Sequence, residues 1–252
     1  MLDGLRLALT TFTVAPLRPG RVDRATAGTA MALAPLAGAL LGAVLAAAGL
    51  ALRAGGAAAL LAGVATVALG AALTRALHLD GLADTVDGLG SYRDAAGALE
   101  IMKRSDIGPF GVVAIVTVLL VQAAGATSAY GRPWPAALAT VVAATATGRL
   151  GAALACRSGV PAAREQGLGA LVAGTVRWPA LAVGAPAVAL VSVFAVPTRP
   201  WQGPLAVALA LLAALWLTRH AVTRLGGVTG DVLGATVELG TAVAYLALAT
   251  AR

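Results

Sequence analysis

Seven apolar runs, each close to the ~20 residues a helix needs to cross a bilayer, follow one another with little between them. They cover about residues 31–52, 57–77, 110–130, 134–156, 178–197, 204–225 and 232–250. Few architectures accept such a pattern. Where water does not reach the backbone, every N–H and C=O must be satisfied by the chain itself, and runs of this length do so as helices. Composition agrees: 59% of the residues are hydrophobic and 12% charged, against roughly 25% charged in a soluble domain. The expected fold class is all-α, a polytopic integral membrane bundle of about seven transmembrane helices, forming a single domain over residues 1–252. The net charge of +7 would point to nucleic acid in a soluble chain; in a membrane chain it first reports topology. Cys156 is the one cysteine, so no internal disulfide can form.

Charge placement sets the orientation. With a cytoplasmic N-terminus, one side receives Arg6, Arg18, Arg21, Arg24, Arg93, Lys103, Arg104, Arg157, Arg164, Arg177, Arg219 and Arg224. The other side receives Arg53, Arg132, Arg199 and Arg252. That asymmetry predicts a multi-pass protein of the cell membrane, the inner membrane in a two-membrane cell, with its polar face in the cytoplasm. Residues 1–28 lack the basic start and small-residue cleavage pattern of a signal peptide, and Pro16 and Pro19 break their apolar stretch, so they read as an interfacial segment. Trp134, Trp178 and Trp201 fall at span ends as interface anchors. Small-xxx-small pairs, Gly38 with Gly42 and Gly230 with Gly234, predict close helix packing.

Six of the eleven acidic residues lie between Asp80 and Asp106. Residues 78–108 are the only sizeable polar segment, expected to be a cytoplasmic catalytic loop carrying a short surface helix. If the segment is helical, Asp80, Asp84 and Asp87 stand at i, i+4 and i+7 and share one face over about 10 Å. Such a row suits Mg²⁺, which prefers oxygen ligands and is usually shared between one or two carboxylates and substrate phosphates. The plainer alternative is a carboxylate row answering nearby arginines, or a solvated turn. A proton relay would set its acids deeper and in several spans. Asp231 and Glu238 are again seven apart, on the last span; Glu238, about 10 Å deeper, either faces the site or pairs with a buried arginine. Arg149 is the natural partner, or a contact for a substrate phosphate. Gly226, Gly227 and Gly230 fit an anion-binding backbone or a helix C-cap about equally. His78 reads as a histidine tolerating the interface rather than as a ligand.

Four motifs occur in order: HLDGLADTVDG, LEIMKRSDIGPFG, REQGLG and GGVTGDVLGATVEL. With the FTVAPL opening and PLAGALLG in the first span, the chain resembles the cobalamin synthase (adenosylcobinamide-GDP ribazoletransferase) family over nearly its whole length. The resemblance implies a Mg²⁺-dependent membrane phosphotransferase of late cobalamin biosynthesis. The ribose 3′-hydroxyl of α-ribazole, or of its 5′-phosphate, would attack the corrinoid-side phosphorus of adenosylcobinamide-GDP and expel GMP. It implies Asp80, Asp84 and Asp87 as metal ligands, with Asp231 and Glu238 closing the metal site. Asp87 and Asp231 are both candidates to accept the hydroxyl proton, and Lys103, Arg104, Arg149 and Arg164 are the expected phosphate contacts. Two departures bear on these roles: KRSDIG stands where the family pattern is expected to read KDSRIG, and REQGLG where it is expected to read REEGLG.

The expected partners are these small molecules and the lipid bilayer, with a homo-oligomer left open and no nucleic acid. Polyprenyl transferases share Asp-rich motifs, but the Asn-Asp start of theirs is missing here. CDP-alcohol phosphotransferases require an Arg where this chain has Asp84. A transporter should show internal repeats and interrupted helices near the midplane.

Overall fold

The computed structural model describes residues 1–18 and 20–250; the break expected at Pro19 and the outward charge expected at Arg252 lie outside the described residues. The chain opens with the amphipathic helix α1 (Leu2–Phe12), which buries Gly4, Ala8 and Phe12 at intervals of four, one helical face. In α2 (Arg24–Ala32), the Asp23 side chain caps the first turn by accepting from Thr26 N at 2.8 Å. The expected span 31–52 begins after a break at Leu33, as α3 (Ala34–Ala54), with Pro35 in the first turn where no N–H is needed.

α4 (Ala59–Leu73) ends where Arg75 and Ala76 adopt left-handed backbone, φ 55° and 54°. α5 (Leu77–Gly90) then departs at 87° to α4. α6 (Ala95–Ile101), capped by Asp94, is the expected short surface helix. After it come α7 (Pro109–Tyr130), α8 (Trp134–Ala155), α9 (Leu168–Val172), α10 (Trp178–Ser192), α11 (Gln202–Leu225) and α12 (Gly230–Ala249). Among the described residues there is no strand, only two isolated bridges. The all-α, polytopic expectation holds.

By length and composition, α3, α7, α8, α11 and α12 can each cross a membrane, and the bent pair α4 and α5 makes at most a sixth span. The seven expected runs therefore do not become seven equal helices. The runs 57–77 and 178–197 fold as helices of 15 residues, about 22 Å long against ~30 Å of hydrocarbon. The first is cut by the left-handed pair Arg75 and Ala76; the second carries Pro186 and yields at Ser192 to a turn closed by Ala195 N on Ser192 O at 3.0 Å.

α8 is the axis of the bundle, with 83% of its apolar window buried. Its Ala, Gly and Thr residues let neighbours approach closely, as small residues do in lipid. At Gly38 of α3, a Cβ would stand 2.7 Å from the Thr145 carbonyl oxygen. One end of the bundle is tied by Arg132, which donates to the carbonyls of Ala195 and Leu248, and by Gln202 Nε2 on Ala247 O. At the other end lie α1, α5, α6 and α9.

Candidate active site

α5 lies across that second end, over the first turns of α7 and α12. At 87° to α4 and with three carboxylates, it runs along the end of the bundle rather than through it. The segment expected to be a catalytic loop is thus mostly helix, and the i, i+4, i+7 reading of the aspartates applies. Two contacts fix α5. Where it crosses α12, a Cβ on Gly81 would stand 2.7 Å from Asp231 O, and one on Gly234 would stand 3.2 Å from His78 Cα, so only glycine permits this approach. Over α7, Asp87 Oδ2 accepts from Gly108 N at 2.7 Å and Oδ1 from Gly111 N at 2.9 Å. Asp87 therefore caps α7, satisfying two donors that a helix start leaves open.

Asp80 and Asp231 line one cavity of about 240 Å³, together with Arg164, Gln166 and Thr229. The Thr229 hydroxyl donates to Asp231 Oδ2 at 3.2 Å, and Arg164 Nη1 stands 3.5 Å from the same oxygen. Asp84 sits beside this group. Burial, then the neighbouring charges of Asp80, Asp231 and Asp87, push its carboxyl up to about 6, with Arg164 opposing them. The carboxylates thus repel one another, and Arg164 is the cation set against them. Among the described residues, no three His, Cys, Asp or Glu side chains form a ready-made metal cage. An ion held by one or two carboxylates plus substrate phosphates fits that donor set.

Arg164 also lines a shallow bowl of about 600 Å³ with Glu100, Lys103 and Arg104. Its Nη2 donates to Leu99 O at 2.9 Å, which anchors it to α6. Three of the four expected phosphate contacts therefore meet at one bowl, and Arg164 stands between bowl and cavity.

Arg149 and Glu238 are elsewhere. Both line a second cavity, of about 40 Å³, with Gln122, Thr145 and Tyr245. Gln122 Nε2 donates to Glu238 Oε2 at 2.7 Å, and Arg149 is only 4% exposed with its Nε unpartnered. A single turn of α5 separates the two cavities: His78 and Asp80 face the first, Leu79 the second. The structure thus sets Glu238 apart from the metal group and Arg149 apart from the phosphate bowl, because their positions lie deeper in α12 and α8 than the crossing with α5. Of the two readings of Glu238, the one beside a buried arginine describes its surroundings. Gly226 is left-handed, φ 82°, and forms the C-cap of α11, the second of the two readings of that glycine group.

Two groups carry no signal in charge pattern or motif spacing. Arg24, counted above only as an inward charge, donates to the carbonyls of Ala170, at 2.7 Å, and Ala173, and so holds the segment after REQGLG against α2. Thr11 and Phe12 of α1 line the first cavity, and Phe12 stacks on His78 with ring centroids 5.7 Å apart. The FTVAPL opening, which begins at Phe12, is the one sequence feature that marks that residue.

A family model described as Cobalamin-5-phosphate synthase matches residues 4–249. Among curated proteins, the chain is 44% identical to an adenosylcobinamide-GDP ribazoletransferase of Frankia casuarinae, over 97% of this chain and 93% of that one. It is 43% identical to the enzyme of that name from a Nocardioides species, over 99% of both, and 35% identical to that of Corynebacterium efficiens, over 99% and 92%. No solved structure matches. With the family matched over nearly its whole length, the chain belongs to the Cobalamin-5-phosphate synthase family.

Proposed function

We propose that this chain is an adenosylcobinamide-GDP ribazoletransferase, joining α-ribazole or its 5′-phosphate to adenosylcobinamide-GDP and releasing GMP. The observation that carries the reading is the cavity of Asp80, Asp231 and Arg164 opening beside the bowl of Lys103 and Arg104. Phosphoryl transfer asks a protein for in-line positioning and charge neutralisation more than for covalent help. Lys103, Arg104 and Arg164 hold the pyrophosphate of the donor, Arg164 from the side nearest the carboxylates. Asp80 and Asp84 would hold Mg²⁺ together with the substrate phosphates, and Asp231 would close that site; the ion would neutralise charge on the phosphates and on the departing GMP.

Asp231 accepts the proton of the attacking ribose hydroxyl. It lines the cavity, whereas both oxygens of Asp87 are already engaged by α7 amides. Asp87 accordingly positions α5. Arg149 and Glu238 act beneath the site, where both line the second cavity with Leu79 of α5. The site end of the bundle carries Arg6, Arg24, Arg93, Lys103, Arg104 and Arg164, so it faces the cytoplasm by the positive-inside rule.

The test is GMP release by purified protein given adenosylcobinamide-GDP and α-ribazole 5′-phosphate, with and without Mg²⁺, beside Asp80→Asn. Metal-dependent GMP and a joined corrinoid by mass spectrometry, both lost in the variant, are expected. No product from folded wild-type protein overturns the assignment.

A further inference from the structure

A groove of about 630 Å³, almost wholly apolar, is bounded by Leu150 and Leu154 of α8, Trp178, Leu181 and Ala182 of α10, and Leu211 of α11. That volume lies within the ~300–1,000 Å³ of clefts that hold small ligands. Trp178 and Ala182 are exposed, so the groove opens outward from the bundle. Its middle helix, α10, is apolar but only 15 residues long, a shortfall against the bilayer that neighbouring lipid has to accommodate.

Each of the three helices brings an arginine to the same end of this groove. Leu150, Leu154 and Arg157 follow at intervals of four and three on one face of α8 and the turn that closes it. Arg157 Nη1 donates to Leu154 O at 3.1 Å, a residue of the groove itself. On α11, Arg219 follows Leu211 on the same broad face, about 12 Å further along the axis. Arg177 caps α10 directly before Trp178. Ser158 N on Val176 O at 2.9 Å and Val176 N on Cys156 O at 3.0 Å draw the start of α10 to the end of α8. Burial, then the charge of Arg219, hold the Arg157 guanidinium below its usual range. Among the described residues, none of the three forms an ion pair. Like charges crowded at the mouth of an apolar groove call for an anion that carries a hydrocarbon tail.

We propose that the groove seats one anionic phospholipid, its phosphate held by Arg157, Arg177 and Arg219 and an acyl chain laid against Leu154, Leu181 and Leu211. A second copy of this chain is a poorer occupant, because the isologous contact of a two-fold dimer would bring the two arginine triads together. The pairing of Arg157 with Val176 also closes the base of residues 158–176, the segment that carries Arg164. The lipid therefore sits at the foot of the segment that supplies the site's arginine. The inference is independent of the ribazole-transfer reading.

Native mass spectrometry of the full-length protein in detergent, titrated with phosphatidylglycerol, reads the Kd of the first bound lipid. Phosphatidylglycerol is expected to bind roughly tenfold or more tightly than phosphatidylcholine with the same acyl chains. Glycerol 3-phosphate, an anion without tails, is expected not to displace it. Each of Arg157→Gln, Arg177→Gln and Arg219→Gln should weaken binding roughly fivefold, and the triple variant about a hundredfold, the scale of basic residues against an anionic headgroup. A control triple, Arg6→Gln, Arg53→Gln and Arg75→Gln, removes equally exposed charges that do not border the groove and should stay within about twofold. Ala182→Phe keeps every charge but fills the groove, and should weaken binding roughly tenfold through lost acyl contact.

Equal affinity of wild type for the two lipids overturns the proposal, and that comparison needs no variant to fold. Displacement by glycerol 3-phosphate, or unchanged binding in Ala182→Phe, removes the groove and overturns it. Equal loss in the control triple reduces the effect to net charge and does the same. A wild-type dimer that excludes the lipid gives the groove to a second copy instead.

Discussion

Gly81→Ala should damage the site through geometry alone. The new Cβ would lie 2.7 Å from Asp231 O and 2.9 Å from Asp231 Cα, where ordinary contact begins at 3.4 Å. Those are backbone atoms of a packed helix, so no side chain can swing away, and α5 must rise from α12 by about 0.7 Å, the difference between those distances. Overpacking of this kind typically costs 1–3 kcal/mol, or about 2–12 °C in melting temperature for a chain of this size. The displacement falls between Asp80 and Asp231, the two carboxylates on opposite sides of the crossing. A misplacement near 1 Å can cost about 10²-fold in rate, so kcat for GMP release should drop roughly 10- to 100-fold in protein that still runs as a single species on gel filtration. Gly70→Ala is the control. Its Cβ would meet only Leu45 Cδ1 at 3.4 Å, and replacing a mid-helix glycine in α4 should be neutral or stabilising by up to about 1 kcal/mol. Full activity in Gly81→Ala, or equal loss in the two variants, would refute the argument that the α5–α12 crossing sets the site.

Asp84 keeps its proton more tightly in the folded protein than an ordinary aspartate carboxyl at 3.8, being pushed up to about 6. Its ionisation therefore opposes folding as pH rises from about 4 through about 6 and beyond. Asp84→Asn should raise the melting temperature at pH 7.5 by about 2–4 °C, taking about 1 kcal/mol after solvent screening, while GMP release is lost; no gain at pH 7.5 relative to pH 4.5 would contradict this. Arg149→Met and Glu238→Met should each cost about 3–5 kcal/mol by leaving a buried charge alone, and the double variant should cost less than their sum. Thermal melts of the four proteins decide it, with additive losses refuting the pairing. Arg24→Met should leave the carbonyls of Ala170 and Ala173 without their donor, giving faster amide hydrogen exchange over residues 164–173 with α8 unchanged. Unchanged exchange in that segment would remove Arg24 from the support of the site.

What could be read before folding was whatever a local pattern encodes. Residues 110–130, 134–156 and 232–250 have no competing use for their apolar side chains, and α7, α8 and α12 match those runs within about two residues. The face shared by Asp80, Asp84 and Asp87 also follows from helical spacing. Less legible was the length of each crossing. The run 57–77 is apolar throughout, yet its last residues belong to the break at Arg75 and Ala76 and to α5, a turn set by contacts that a hydropathy window does not contain.

The sequence by itself determined the class of the protein, its helices and the residue types at the site, because backbone satisfaction in lipid and side-chain periodicity are local and depend on neighbours a few positions away. Only the tertiary structure decided which of those residues meet. Asp87 came to accept from two amides at the start of α7; Arg149 and Glu238 came to line a second cavity, apart from the one lined by Asp80. α5 itself is placed by its close crossing with α12 at Gly81 and Gly234, residues about 150 positions apart in the chain. Contacts between such distant positions are fixed by packing, and no spacing rule along the sequence encodes them.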